Sequence, residues 1–260
     1  MELNLNNKSA LVCGSTQGIG HAAAVALASE GTRVTLVARN EEKLKKIVSE
    51  LPKTAAHDYI VADFSNPEEL KINVEKYLNS HKGFHILINN TGGPRSGAIL
   101  EATLEQFESA FTQHLKCNHV LTQLVVPFMK SEKYGRIINV ISTSVKEPIE
   151  GLGVSNTIRN AVGNWSKTLS FELGAFGITV NNVLPGFTET ERLNEIIEVK
   201  AKKANVSFKE MKSIMKTYTP AKRFAKPEET ANTIVFLASE AAGYINGINI
   251  PVDGGRTKSL

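Results

Sequence analysis

The chain has 260 residues, 42% of them hydrophobic and 22% charged, with 19 Gly and 9 Pro. This is ordinary globular composition, which excludes a collagen-like or disordered chain and supports one domain over residues 1–260. The net charge of +4 is spread among interspersed acids and bases, too diffuse for a nucleic-acid binder but compatible with an anionic ligand.

The stretch Met1 to Lys8 is polar and lacks a signal-peptide pattern, and no apolar run approaches a membrane span, so a cytoplasmic protein is expected. Cys13 and Cys117 provide neither a disulfide framework nor metal-ligand spacing; two buried thiols and no metal are expected. Short apolar runs alternate with helical patterns. Ser9–Cys13, Val34–Ala38, a segment near His57–Asp63, His85–Asn89, Arg136–Ile141, Ile178–Leu184 and Ile248–Val252 read as strands. Most are continuous rather than alternating in polarity, as strands covered on both faces of a parallel sheet are. Helices are expected over Gly20–Glu30, Glu41–Leu51, one long span from Thr103 to about Lys130, and about Val154 to Gly174. This alternation predicts an α/β fold of Rossmann type, a doubly wound parallel sheet of about seven strands with helices on both faces.

One interval breaks the rhythm. From Glu189 to about Lys226 there is no strand pattern, only basic, amphipathic, helical sequence, with Phe208, Met211, Ile214 and Met215 at helical spacing. It reads either as a surface helix packing its stripe on the core or as a substrate lid, since an insertion at this sheet edge lies over the ligand crevice.

Three turns fall at carboxyl ends of strands, where ligands gather in such sheets. Gly14-Ser15-Thr16-Gln17-Gly18-Ile19-Gly20 joins the first strand to an Ala-rich helix. Its glycines allow a tight turn and close approach of a pyrophosphate to the helix N-terminus. Asn89-Asn90-Thr91-Gly92-Gly93 and Pro185-Gly186 follow later strands. The second strand ends in Ala38-Arg39-Asn40. An NAD site places a carboxylate about there for the ribose 2′-hydroxyl, whereas an arginine suits a 2′-phosphate. The prediction is therefore NADP(H) over NAD(H); the competing reading makes Arg39 a solvated residue at a helix start.

These motifs, in this order, resemble those of the short-chain dehydrogenase/reductase family over nearly the whole chain. Cys13 to Gly20 is similar to the glycine motif, Asn89-Asn90-Thr91-Gly92 to its Asn-Asn-Ala-Gly motif, and Asn181 to Gly186 to the segment before its lid. Pro251-Val-Asp-Gly-Gly255 is similar to its last strand. Within the family the chain resembles members labelled 3-oxoacyl-acyl-carrier-protein reductases. The resemblance implies that Asp63 and Phe64 border the adenine, that Pro185, Gly186 and Thr188 hold the nicotinamide, and that the protein assembles as a homotetramer or dimer.

The family's chemistry uses Asn, Ser, Tyr and Lys. Ser142 matches the serine, but Ser155 stands at the tyrosine position, Arg159 at the lysine position and His114 at the asparagine position. Ser155 and Arg159 are one helical turn apart and share a face. Arg159 can donate to ribose hydroxyls and stabilise an alkoxide, although it stays charged and cannot relay protons. Ser155 is a poorer acid than a phenol. His114 is a candidate proton source near neutral pH, against the alternative of a helix histidine satisfied by a neighbour. The expected function is reduction of a carbonyl, or oxidation of an alcohol, with a non-standard catalytic set. Arg95 and the basic interval suit an acidic or carrier-linked substrate. The competing expectation is a catalytically degenerate dinucleotide-binding sensor or partner subunit; non-redox chemistry on a cofactor scaffold is a third.

Overall fold

In the computed structural model, which describes residues 1–259, the apolar runs become the strands β1 (Ser9–Cys13), β2 (Arg33–Ala38), β3 (Asp58–Val61), β4 (Ile86–Asn89), β5 (Gly135–Val140), β6 (Ile178–Pro185) and β7 (Asn249–Val252). They form a seven-stranded sheet in the order β3-β2-β1-β4-β5-β6-β7, each neighbouring pair parallel. Every residue of β1, β4 and β5 is buried, because helices cover both faces. This is why those runs lack the polar alternation of a one-sided sheet. The chain leaves β1 in one direction towards β3 and returns to the other side at β4. The crevice at the carboxyl ends of β1 and β4 is therefore the topological switch point, where ligands bind in sheets of this class.

The helices are α1 (Gly18–Ser29), α2 (Glu41–Glu50), α3 (Pro67–Leu78), α4 (Leu104–Phe111), α5 (Cys117–Ser131), α6 (Gly153–Leu173), α7 (Glu191–Ala204), α8 (Phe208–Thr217) and α9 (Pro227–Ala238). Local chemistry sets their starts. Asn40 accepts from the Lys43 N–H at 2.9 Å to open α2, Asn66 from the Glu69 N–H to open α3, and Ser207 from the Glu210 N–H to open α8. Thr103 and Gln106 form a reciprocal capping box at α4. On one face, α1 and α9 pack Ala23, Leu27, Ile234 and Leu237 against the sheet. On the other, Leu70 of α3 and Leu121, Val125 and Met129 of α5 do so. Both cysteines are free and buried, and burial pushes the Cys117 thiol up to about 12.

The expected long helix is present over residues 104–131, but it is not α-helical throughout. Thr112–Lys116 forms a π-turn between α4 and α5, and His114 lies in it. A π-turn inserts one residue into the helical ladder and re-aims the side chains beside it. The strand and helix patterns otherwise agree with the expected elements to within a few residues, as helix ends commonly do.

Across the interior of the sheet, four asparagines stand in register: Asn89 opposite Asn139, Asn139 opposite Asn182 and Asn182 opposite Asn249. Each side-chain amide donates to the next carboxamide oxygen, at 2.8, 2.9 and 2.8 Å. Side-chain hydrogen bonds thus tie β4 to β7 in addition to the backbone ladder.

The strandless interval contains α7 and α8. It leaves and rejoins the sheet edge at a narrow neck, where the Glu189 N–H donates to the Ala225 carbonyl at 2.8 Å and the Ala225 N–H to the Phe187 carbonyl at 2.9 Å. Met211 and Met215 are buried, but against Leu193, Ile197, Ala201 and Phe224 of the interval itself. The apolar stripe thus makes a small separate core instead of packing on the main one. Phe208 is partly exposed and Ile214 only half-buried.

Candidate functional site

The loop after β1 is shaped by contacts that only glycine permits. Gly14 and Gly18 have φ of +56° and +57°, the left-handed region that L-residues avoid. A Cβ on Gly20 would lie 2.2 Å from the Gly14 carbonyl oxygen and 2.7 Å from the Asn90 amide nitrogen. The Asn90 side chain donates to the Cys13 and Gly14 carbonyls, so the turns after β1 and β4 are one unit. Helix α1 begins at Gln17 without a side-chain cap and with no acid in its first turn. Its first N–H groups and positive dipole end are left for an anion. Ser15 is buried, its hydroxyl donating to the Val37 carbonyl, while Thr16 and Ile19 are half-buried around the turn. Thr91 is half-buried and Gly92 open, with nothing within 4 Å of an added Cβ.

At the end of β2, Arg39 lies 3.8 Å from Asp63, which follows β3, and both side chains are substantially exposed. Asp63 also accepts from the Ser65 N–H at 2.8 Å. An exposed pair of this kind is worth roughly 0–1 kcal/mol, so the guanidinium can exchange it for a stronger anion. Asn40 uses its side-chain oxygen to cap α2. Phe64 is buried, and its carbonyl accepts from the Cys117 thiol. At the end of β6, Gly186 is so close to Asp253 that a Cβ would lie 2.7 Å from its Cα. Pro185 is half-buried, and the buried Thr188 donates its hydroxyl to the Gly186 carbonyl at 3.3 Å.

The four candidates for chemistry come from three elements. Ser142 follows β5 and caps a short 3-10 turn, its oxygen accepting from the Ser144 N–H at 3.1 Å, which leaves its own O–H free to donate. Ser155 and Arg159 lie on α6 and are both buried. The Arg159 Nη1 donates to the Val140 carbonyl at 2.9 Å, bringing the guanidinium to the end of β5 two residues before Ser142. Its Nε is buried and has no hydrogen-bond partner within the protein. Burial, and then repulsion from Arg192, pull the Arg159 pKa down to about 10; the group remains charged at neutral pH.

His114 differs from the expectation. It is 4% exposed and its Nε2 has no hydrogen-bond partner within the protein. Burial, and then the charge of Arg159, hold its pKa well below the usual histidine range, opposed by a hydrogen bond to the Gly92 backbone. Both causes favour the uncharged imidazole, and the unpartnered Nε2 leaves it not fully satisfied by a neighbour. The π-turn carries it to the Gly92 and Arg159 side of the site.

Next to it, a cleft of about 380 Å³ opens between the Gly93–Arg95 loop and α4, with His114, Gln113, Ser109 and Val154 on its walls. That is an adequate size for a small metabolite. Ser142 does not line it. The sequence offered no signal for Arg192 of α7, which reaches across the site to donate to the Pro94 carbonyl at 2.8 Å. Nor did it point to Glu147, whose carboxylate accepts from the Lys258 and Ser259 N–H groups and draws the C-terminal tail to the loop after Ser142.

The family model described as enoyl-(acyl carrier protein) reductase matches residues 14–257 of this chain. NADPH-dependent reductase BacG of Bacillus subtilis is 30% identical over 259 residues, spanning 98% of this chain and 100% of the relative. The 3-oxoacyl-acyl-carrier-protein reductase FabG of Aquifex aeolicus is 33% identical, spanning 98% and 99%. Among solved structures, the L-sorbose reductase of Gluconobacter frateurii, complexed with NADPH and L-sorbose, superposes with a TM-score of 0.93 at 32% identity over the whole of both chains. With its glycine-cradled turn at the switch point of a seven-stranded parallel sheet, the chain belongs to the short-chain dehydrogenase/reductase family.

Proposed function

We propose that the protein is an NADP(H)-dependent oxidoreductase that reduces a carbonyl, or oxidises the corresponding alcohol, with a catalytic set lacking the family's tyrosine and lysine. The observation that carries the cofactor part is the Gly14–Gly20 cradle, whose missing Cβ atoms and uncapped α1 leave N–H donors for a pyrophosphate. Arg39, with no acid at the end of β2, suits a 2′-phosphate, and Asn40, Asp63 and Phe64 border the same end. Asn90, Thr91, Gly92, Pro185, Gly186 and Thr188 line the nicotinamide end. The relatives described as NADPH-dependent or complexed with NADPH support the same choice. When bound, NADPH supplies the hydride that a carbonyl carbon accepts.

The chain's own groups then divide the remaining work. Ser142 donates its free O–H to the carbonyl oxygen and fixes its position. Arg159 holds a fixed positive charge beside that oxygen and stabilises the developing alkoxide. Ser155, one turn away, is a further hydroxyl donor. His114, neutral and with an unpartnered nitrogen, positions water, and the proton that completes the alcohol comes from solvent. The 189–226 interval acts as the lid over the substrate, pivoting at its neck. Exposed Phe171 and Phe176 on and after α6, with Tyr244 before β7, support assembly into a homo-oligomer.

Two measurements test this. Titration of NADP⁺ and NAD⁺ is expected to show tighter NADP⁺ binding in the wild type. Arg39→Ala should lose roughly 10- to 150-fold of that preference, the range of one charge-assisted contact of about 1.5–3 kcal/mol. Equal wild-type affinities would sink the assignment. In the second, NADPH oxidation is followed against a carbonyl panel for the wild type and for Ser155→Tyr/Arg159→Lys. Wild-type turnover is expected. Turnover confined to the double variant would point instead to a cofactor-binding sensor or partner subunit with an intact pocket.

A further inference from the structure

Residues 253–259 follow β7 and return to the site. Asp253 shapes their first turn: its Oδ1 accepts from the Gly255 N–H at 2.9 Å and its Oδ2 from the Thr257 N–H at 2.7 Å. The Gly254 carbonyl accepts from the Ala221 N–H at 3.2 Å, near the end of the 189–226 interval. Arg256 then places its guanidinium 4.2 Å from the centre of the Phe187 ring, and Phe187 stands between Gly186 and Thr188 in the turn after β6. Burial pulls the Arg256 pKa down, while the charges of Asp253 and Glu147 oppose that shift. Further along, the N–H groups of Lys258 and Ser259 both donate to the Glu147 Oε1 at 2.6 Å. Two successive N–H groups turned towards one oxygen make an anion-binding concavity, and bonds of this kind to a carboxylate are stronger than those between neutral groups.

Glu147 is coupled closely to Ser142. The ladder between β5 and β6 reaches Ile141, whose N–H donates to the Val183 carbonyl at 3.0 Å, and Ser142 lies just past it. From there the chain winds up. The Ser142 carbonyl accepts from the Val145 N–H at 3.1 Å, and the Thr143 carbonyl accepts from the Lys146 and Glu147 N–H groups at 2.9 and 3.1 Å. Displacing Glu147 therefore displaces Ser142. On the α6 side this loop is fastened by Asn160, which donates to the Ser144 carbonyl at 3.2 Å, and by Asn156, which donates to the Ile149 carbonyl at 2.9 Å. Those bonds tie the loop to α6 and not to the turn after β6. Residues 253–259 span that second gap, with Arg256 on Phe187 at one end and Glu147 at the other.

Resting on the reading of the protein as a carbonyl reductase, we propose that residues 253–259 are a strap that sets the spacing between Ser142 and the turn after β6, and that Glu147 and Arg256 are positioning residues acting through Ser142. The strap joins the loop that orients the carbonyl to the turn that holds the nicotinamide. Hydride transfer depends steeply on that spacing, and a misplacement of about 1 Å can cost about 10²-fold in rate. Neither Glu147 nor Arg256 lines the cleft, so their influence on turnover passes through the loop they hold.

The test follows NADPH oxidation, on a carbonyl that the wild type reduces, in Glu147→Ala and Glu147→Gln, each alone and combined with Ser142→Ala. Glu147→Ala is expected to lower kcat by at least about tenfold, while the NADP(H) dissociation constant stays within about twofold. Glu147→Gln keeps an oxygen that can accept both N–H groups and should recover most of the loss. In the Ser142→Ala background, Glu147→Ala should cost less than about threefold more, because the group it positions is gone. Arg256→Ala should lower kcat several-fold and add little to Glu147→Ala. A readout that needs no substrate is amide exchange at the Ser144 N–H, which donates to the Ser142 oxygen. Its rate should rise by at least about tenfold in Glu147→Ala and fall back in Glu147→Gln. An unchanged kcat in Glu147→Ala, effects of Glu147→Ala and Ser142→Ala that simply multiply, or an unmoved Ser144 exchange rate each overturns the proposal. A wild type that reduces no carbonyl would instead overturn the reductase reading, and the exchange measurement would still decide whether the strap holds the Ser142 loop.

Discussion

Replacing Ser142 by alanine is expected to lower kcat for carbonyl reduction by at least about 10²–10³-fold, the effect of removing one preorganised donor to a developing oxyanion. The NADP(H) dissociation constant should stay within about twofold of wild type, because Ser142 lies after β5, away from the Gly14–Gly20 turn. The contrast follows from how the side chain is held. Its oxygen accepts from the Ser144 N–H, which fixes the hydroxyl while leaving its proton free. Alanine also removes the cap of a 3-10 turn, a loss of about 0.5–2 kcal/mol in stability, so a melting curve belongs beside the kinetics. Ser142→Thr keeps both the cap and the donor and should retain most activity. Unchanged turnover in Ser142→Ala would remove this residue from the mechanism and leave Ser155 and Arg159 as the groups on the carbonyl oxygen.

Asn139→Leu should destabilise the fold by about 2–6 kcal/mol. Asn139 is fully buried, accepts from Asn89 and donates to Asn182. Leucine is of comparable size but leaves a buried amide and a buried carbonyl unpaired, at about 1–3 kcal/mol each. The row is already incomplete at its β4 end, where the Asn89 oxygen accepts no hydrogen bond. Urea unfolding of both proteins measures the difference. A change below about 1 kcal/mol would mean that backbone pairing alone holds these strands in place.

Much of the architecture is legible in the chain because it follows from local rules. Continuous apolar runs mark strands covered on both faces, glycines mark the sharp turn before α1, and the loss of strand pattern marks the interval containing α7 and α8. The π-turn at Thr112–Lys116 was not legible, since one inserted residue barely disturbs helical periodicity. The asparagine row was equally hidden. Asn89, Asn139, Asn182 and Asn249 are scattered in sequence and align only once four strands have taken their registers. The candidate site is split in the same way. The glycine turn, Ser142, Ser155 and Arg159 could be located from spacing and resemblance. The charge state of His114 depends on its burial and on Arg159, and Arg192 arrives from a helix 98 residues from its carbonyl partner; neither has a local signature.

The neck of the interval between Phe187 and Ala225 bears on how such a protein diversifies. Two backbone hydrogen bonds close it, and the helices beyond it carry their own apolar cluster. Backbone bonds make no demand on side-chain identity. Substitutions within residues 190–224 therefore leave the closure of the neck untouched, so sequence can drift there without opening the sheet edge.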